Sequence, residues 1–454
     1  MKLKLAVFSV AAVLMACGGT TGGNTGGGSG ATGGGTGSGL VEVTADVSAN
    51  TTWTKDHTYV LKQLIYVQAG ATLTIEAGTT IAGDPASALV VSRDAKLIAE
   101  GTAAEPIVFT SSQTPGNRGQ GNDWGGVVFL GRAPINTVGG EEGAEGLAAE
   151  DRNKFGGGAN PDSAYNCGTL KYVRVEFAGK PLSANNELNG ITLNACGTGT
   201  TIDYVQVHRG VDDGIELFGG TVNLKHIVLS GNDDDGLDWD RGWSGKAQFV
   251  IVQQTQGFGN HGFEASSNPL NTALTPIARP TIFNATLVGR KPDASNPGEG
   301  TSRGIVLKEG TEGQLANLIV TNFTETGLYV TSTASAGAWG TDLTVKNSIF
   351  FSNSTTDGVV DFTTPPLADG GVTDIGFDEL AALQAETSDR LGVDPQLTDA
   401  LNVTAPNFKP ASASPVFTGG ATPPADGFFD TSATFVGAVG TDDWTAGWTA
   451  FPEN

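Results

Sequence analysis

Three short phrases hold most of the side chains in this chain that are suited to chemistry: Asp212-Asp-Gly-Ile-Glu216, Asp234-Asp-Gly-Leu-Asp238 and Asn260-His-Gly-Phe-Glu264. Their glycines, Gly214, Gly236 and Gly262, lie 22 and 26 residues apart, and each is followed by one apolar residue and one acid. A repeat of this length marks a solenoid in which every unit is one coil laid on the last. Stacked coils set Glu216, Asp238 and Glu264 in a column about 4.8 Å apart, the spacing of neighbouring strands. On a strand whose Ile215 and Leu217 point inward, Glu216 points out; the same parity exposes Asp238 and Asp240 beside Trp239.

Carboxylates ~5 Å apart repel by roughly 1 kcal/mol per pair in water and ~3 near a protein surface. A cation between them, a proton on one of them, or solvent can relieve that repulsion. Oxygen ligands on turns suit Ca²⁺, which takes six to eight oxygens. The sequence therefore nominates Asp212, Asp213, Glu216, Asp235, Asp238 and Glu264 as a Ca²⁺ set, with Asp233 and Asp234 in the same turns. The same groove offers an acid–base set, Asp213, Asp234, Asp235, Asp238 and His261. Carboxylates one or two coils apart approach the ~6.5–9.5 Å separation of an inverting glycosidase. A plainer reading stands beside both, because Asp before Gly is a good turn former whose carboxylate bonds a nearby backbone N–H.

The positioning elements are short period-two runs broken by Gly, Asn or Asp, which read as strands. An opening set comprises Tyr59-Val-Leu, Leu64-Ile-Tyr-Val, Thr72-Leu-Thr-Ile, Leu97-Ile-Ala and Ile107-Val-Phe-Thr. Two interleaved faces follow. One holds segments 170–177, 202–207, 224–229, 247–252, 281–288, 315–320 and 343–350. The other opens near Gly190, Gly214, Gly236, Gly262, Gly304, Gly327 and Gly358. No pair buries its own apolar side, so coils must stack to make a core. The gaps at 139–166 and 289–302 read as insertions leaving one edge, the first rich in acids (Glu141, Glu142, Glu145, Glu150, Asp151). Asp378–Glu386 reads as a short helix, and 370–454 as coils and a cap, with Trp444 and Trp448 expected over the last open rung. Tyr172-Val-Arg-Val and Tyr204-Val-Gln-Val read as equivalent strands, which places Cys167 and Cys196 at one corner of adjacent coils and predicts a disulfide.

Asp123-Trp-Gly-Gly, Leu170-Lys-Tyr-Val-Arg-Val-Glu-Phe-Ala-Gly, Val211-Asp-Asp-Gly-Ile-Glu-Leu-Phe-Gly-Gly and the Trp/Thr-rich end resemble a group of bacterial surface proteins. That group is built on a right-handed parallel β-helix of pectate-lyase type and has no established activity. The resemblance implies an all-β, single-solenoid fold over 40–369 with a cap at 370–454; it implies little chemistry. β-Helix polysaccharide hydrolases also place carboxylates and a His-Gly pair on neighbouring coils with a basic residue beyond. Asp213, Asp234, Asp235, His261 and then Arg303 or Lys308 imitate that order loosely. A Ca²⁺-dependent lyase needs a strong base, for which Arg241, Arg303 and Lys308 are the candidates.

The start reads as an export signal over 1–16: Lys2 and Lys4, then an apolar run too short to span a bilayer. Leu14-Met-Ala-Cys17 resembles the bacterial lipobox, which implies lipidation of Cys17, and Gly18 implies retention at the outer membrane. Residues 18–39, with 13 glycines in 22, form a tether reaching roughly 25 Å as a random coil. A net charge of −23 argues against nucleic acid and anionic headgroups as partners. Together these point to a lipid-anchored outer-membrane protein with a non-catalytic binding or adhesion role, for polysaccharide or another surface ligand, associated with Ca²⁺. A polysaccharide hydrolase or lyase and a structural envelope protein are the alternatives.

Overall fold

The computed structural model describes residues 39–119, 123–180, 188–255, 257–290, 302–353 and 375–454. The signal segment, Cys17, the tether up to 38 and the strand expected at Gly358 lie outside them. Among the described residues most strands form a nine-stranded sheet and a sixteen-stranded sheet, parallel throughout their stacks. Two antiparallel pairs, Glu142–Gly143 with Lys154–Phe155 and Leu397–Asp399 with Asn407–Pro410, stand apart. Parallel strands that return coil after coil to the same sheets fit a right-handed β-helix. The short helix is present as Glu379–Ala385, with the Asp378 side chain accepting from the Ala381 N–H at its N-terminus.

The coil has three sides rather than two. Early on, separate strands occupy each side. Gly168–Glu176 then pairs with Lys96–Glu100 through residues 168–171 and with Ile107–Ser111 through 173–175. One long strand thus does the work of two, and the joint is Tyr172 at φ 48°. The same left-handed joint recurs at Tyr204, His226, Phe249, Asn284 and Asn317. Alternating polarity shows no break at such a residue, so the two sides read as a single strand. Each joint costs something in backbone strain, and stacking across coils offsets it. Tyr172, Tyr204, His226 and Phe249 form a pile with successive ring centroids 4.3, 4.1 and 5.0 Å apart.

Inside, one continuous apolar core runs the length of the solenoid, from Trp53 and Leu61 to Phe350 and Leu383. Buried indoles keep their N–H groups satisfied: Trp239 donates to Thr311 Oγ1 at 3.1 Å and Trp243 to the Val222 carbonyl at 3.0 Å. Cys167 and Cys196 are joined, with Cα atoms 5.9 Å apart.

The C-terminal region does two things. The helix Glu379–Ala385 closes the open end, Leu383 entering the core and Glu379 accepting from the Val330 N–H. Arg390–Leu391 then adds a short parallel strand to Ile349–Phe351 at the end of the long sheet, and the rest turns away from that rung. It runs back along the outer face of the long sheet as a strap, held by a ladder of amide side chains. Asn317 bonds Ala421, Asn284 bonds the Ala433 and Phe435 carbonyls, Gln248 bonds Asp430, and Gln206 bonds Ala450. Trp444 and Trp448 consequently pack on Tyr172, Tyr204 and His226 in mid-solenoid, not on a terminal rung.

Candidate functional site

The glycine of each phrase is demanded by stacking. A Cβ on Gly214 would lie 2.6 Å from the Gly236 carbonyl, and one on Gly236 would lie 2.5 Å from Val252 Cγ1 and 2.7 Å from the Gly262 carbonyl. Backbones of adjacent coils meet there with no room for a side chain. The residue before each glycine, Asn189, Asp213, Asp235 or His261, therefore occupies one equivalent place per coil. Asn189 Oδ1 accepts from the Asp213 N–H at 3.2 Å, Asp213 Oδ1 from the Asp235 N–H at 2.9 Å, and Asp235 Oδ1 from the His261 N–H at 2.7 Å. Asp213 and Asp235 each bond a backbone N–H, but that N–H belongs to the next coil and not to their own turn.

Two residues past each glycine, the expected column is in register: Thr192, Glu216, Asp238, Glu264 and Val306 pair in succession. Its exposure was misjudged. Glu216 and Asp238 point away from the core yet are only 7% and 9% exposed. The site lies beside the 139–166 insertion, whose Glu145 lines the pocket with them. The insertion is pinned to the coils by Glu142 on Arg241, Nε to Oε2 2.7 Å, and by an ion pair between Glu141 and Arg93. Leu147 and Phe155 seat it on the apolar outer stripe that includes Val90 and Val128.

The resulting cavity, of about 530 Å³, is lined by Glu145, Asp212, Asp213, Glu216, Asp233, Asp234 and Asp238, with Asn189 and Val211; among the described residues no lysine or arginine lines it. Ligand oxygens of Asp213, Asp235 and Asp238 lie within 4.8 Å of one another, as do those of Asp212, Asp213 and Asp234. Burial, then neighbouring carboxylates, hold three of these acids well above the usual range: Asp213 through Asp235 and Glu216, Glu216 through Asp238 and Glu145, Asp238 through Glu264 and Asp213. The Asn189 amide, 2.6 Å from Glu216 Oε2, works the other way on Glu216. Asp238 Oδ1 is buried without a hydrogen-bond partner.

The far side of the column is different. Lys308 makes a close ion pair with Glu264, and His261 Nδ1 lies 2.8 Å from Asp235 Oδ1 and 3.4 Å from Glu264 Oε1. Burial lowers the His261 pKa, but Asp235 and Glu264 outweigh it and set the imidazole above its ordinary value. Arg303 Nη1 lies 3.3 Å from His261 Nε2 while its Nε donates to Glu325 at 2.7 Å. The structure thus brings Asp213, Asp235, Asp238, His261 and Glu264 together, with Asp212 and Asp234 at the outer rim. It divides them into an open carboxylate pocket and a neutralised cluster of Asp235, His261, Glu264, Lys308 and Arg303. Asp235 and Glu264 fit the second group better than the Ca²⁺ set to which the sequence assigned them.

A profile of the pectate-lyase like beta helix domain matches residues 45–389. The chain belongs to this family. No curated protein and no solved structure matches it significantly. Two site residues of this pectate-lyase-like β-helix escaped the sequence reading. Asn189 carried a usable signal, since it precedes Gly190 as Asp213 precedes Gly214. Glu145 carried none beyond its place in an acidic insertion, because the fold of that insertion over the sheet is long-range.

Proposed function

We propose that the protein is a lipid-anchored surface protein of the outer membrane that binds Ca²⁺ in the carboxylate pocket and holds polysaccharide there without cleaving it. The supporting observation is a cavity lined by seven carboxylates and, among the described residues, by no cationic side chain. Three of the seven, Asp213, Glu216 and Asp238, are buried; buried like charges so close to one another require bound protons or a bound cation, and an oxygen-only lining suits Ca²⁺. Asp212, Asp213, Glu216 and Asp238 would supply the coil ligands and Glu145 the ligand from the insertion. The anchor and location rest on Leu14-Met-Ala-Cys17 and the glycine-rich tether.

Calorimetric titration with Ca²⁺ tests the reading. Binding by the native chain, lost in Glu216→Gln with Asp238→Asn, is expected, together with a chelator-induced fall in melting temperature. A flat titration of the metal-stripped native protein overturns it.

Against catalysis, the three candidate bases are committed: Arg241 to Asp240 and Glu142, Arg303 to Glu325, and Lys308 to Glu264. An ion-paired guanidinium stays protonated and cannot remove a proton. The oxygens of Asp213, Asp235 and Asp238, within 4.8 Å, are also closer than the ~6.5–9.5 Å that leaves room for the water of an inverting hydrolase. Reducing-end and unsaturated-product assays across acidic and neutral glycans are expected to stay silent while binding persists.

A further inference from the structure

The 139–166 insertion carries a loop on a fixed stem. In the stem, Glu142–Gly143 pairs antiparallel with Lys154–Phe155. Arg241 holds it to the coils, its Nε and Nη2 donating to the two Glu142 oxygens at 2.7 and 3.1 Å. Between the stem strands, loop 144–153 folds on itself. The Ala144 N–H donates to the Asn153 carbonyl at 2.8 Å, and Asn153 Nδ2 donates to the Ala148 carbonyl at 2.9 Å. A compact loop whose ends are joined can tilt as one body about the residues that carry it. At the stem end, Gly143 has the room to act as hinge, because a Cβ there would meet nothing within 4 Å.

Three kinds of contact seat the loop on the solenoid. Ala144 and Leu147 are buried in the outer apolar stripe with Val128 and Leu130. Arg152 lies over the Tyr66 ring, 4.1 Å from guanidinium carbon to centroid. Glu145 reaches the carboxylate pocket, and among the described residues of the insertion it is the one that lines it. The first two contacts are the same whatever the pocket holds. The third changes sign. The coil carboxylates of Asp212, Asp213, Glu216, Asp233, Asp234 and Asp238 repel Glu145 when bare and draw it in when a divalent cation lies between. A ligand moves an element between two positions only by favouring one of them, and Glu145 supplies that difference.

We propose that loop 144–153 is a lid closed by the pocket's own cation: Glu145 joins the cation's shell and brings the loop down, and the cation leaves when the loop lifts. The trigger of this lid rests on the calcium reading of the pocket; its hinge and its body do not.

Hydrogen exchange of the full chain, native and Glu145→Gln, with Ca²⁺ and with chelator, tests the lid beside a calorimetric Ca²⁺ titration. In the native chain Ca²⁺ is expected to slow exchange of the 144–153 amides by about tenfold or more. Glu145→Gln removes the repulsion, so its loop is expected to exchange slowly in chelator already and to gain little from Ca²⁺. Calorimetric Ca²⁺ binding with unchanged loop exchange overturns the lid. A Glu145→Gln loop that answers Ca²⁺ as fully as the native one does so too. A flat titration, with slower loop exchange in Glu145→Gln than in the native chain, supports the charge-driven lid and counts against the calcium reading alone. A flat titration with no effect of Glu145→Gln on the loop overturns both.

Discussion

Asp213 Oδ1 accepts the backbone N–H of Asp235 from 2.9 Å, one coil along. The carboxylate is a structural acceptor and a pocket wall at once, and the two roles separate on substitution. Asp213→Asn keeps the acceptor and removes a charge from a crowded site, so unliganded stability at neutral pH should hold or rise while Ca²⁺ affinity falls. Asp213→Ala leaves a buried N–H unmade and should cost about 1–3 kcal/mol in urea unfolding. Equal losses for both variants would remove the structural role.

Lys308 neutralises Glu264 on the far side of the column. Lys308→Met leaves Glu264 with only His261 beside it, and a destabilisation of up to about 3–5 kcal/mol is expected. Adding Glu264→Gln to Lys308→Met should recover much of it. A double-mutant cycle by denaturant titration checks the coupling.

His208 ties the strap to the coils. The Pro452 carbonyl can only accept, so His208 Nε2–H donates to it at 2.8 Å, and Nδ1 accepts from the Ser230 hydroxyl at 2.9 Å. This fixes the neutral ring, and burial, with Arg209 adding to it, lowers its pKa from 6.5 to about 4. The unfolded chain takes its proton near pH 6.5 and the folded one only near 4. Stability from this group is therefore complete above pH 6.5 and falls by roughly 3 kcal/mol as the pH drops to 4. Asp213, Glu216 and Asp238, held high, contribute the opposite slope. The comparison that isolates the histidine is His208→Gln, which should lose the acid-side slope and keep the carboxylate one.

Reducing the Cys167–Cys196 bond, which closes a 29-residue separation, should cost about 3–4 kcal/mol by the loop-entropy relation. Urea unfolding with and without reductant measures it. The β-sheet circular dichroism should survive, because the paired strands on either side, Leu170 to Ile202 and Val173 to Val205, do not need the bond.

A chain ending at Val393 should keep its parallel sheets and lose its solubility. The strap covers Val228, Ile251 and Val288 on the outer face of the long sheet, and an uncovered apolar face of that size invites association. Dye binding and light scattering should rise with unchanged far-ultraviolet dichroism.

The column Glu216–Asp238–Glu264 and the Cys167–Cys196 pair were legible because both follow from a fixed repeat, and equal spacing along a solenoid becomes adjacency across it. The third side of the coil was not. Tyr172 and its stacked equivalents turn the chain through a left-handed residue that alternating polarity does not record. Nor was the destination of Trp444 and Trp448, whose partners Tyr172 and Tyr204 lie more than 200 residues earlier in the chain.

Sequence alone determined the solenoid, its register and which residues share a coil position, since these depend on local periodicity repeated many times. Tertiary structure decided the burial of the acids, the entry of Glu145 and the pairing of Lys308 with Glu264. Each of those depends on where an insertion or a later coil comes to rest. Charge in a protein is governed by such neighbours and by the water they exclude, and neither is written in the spacing of a repeat.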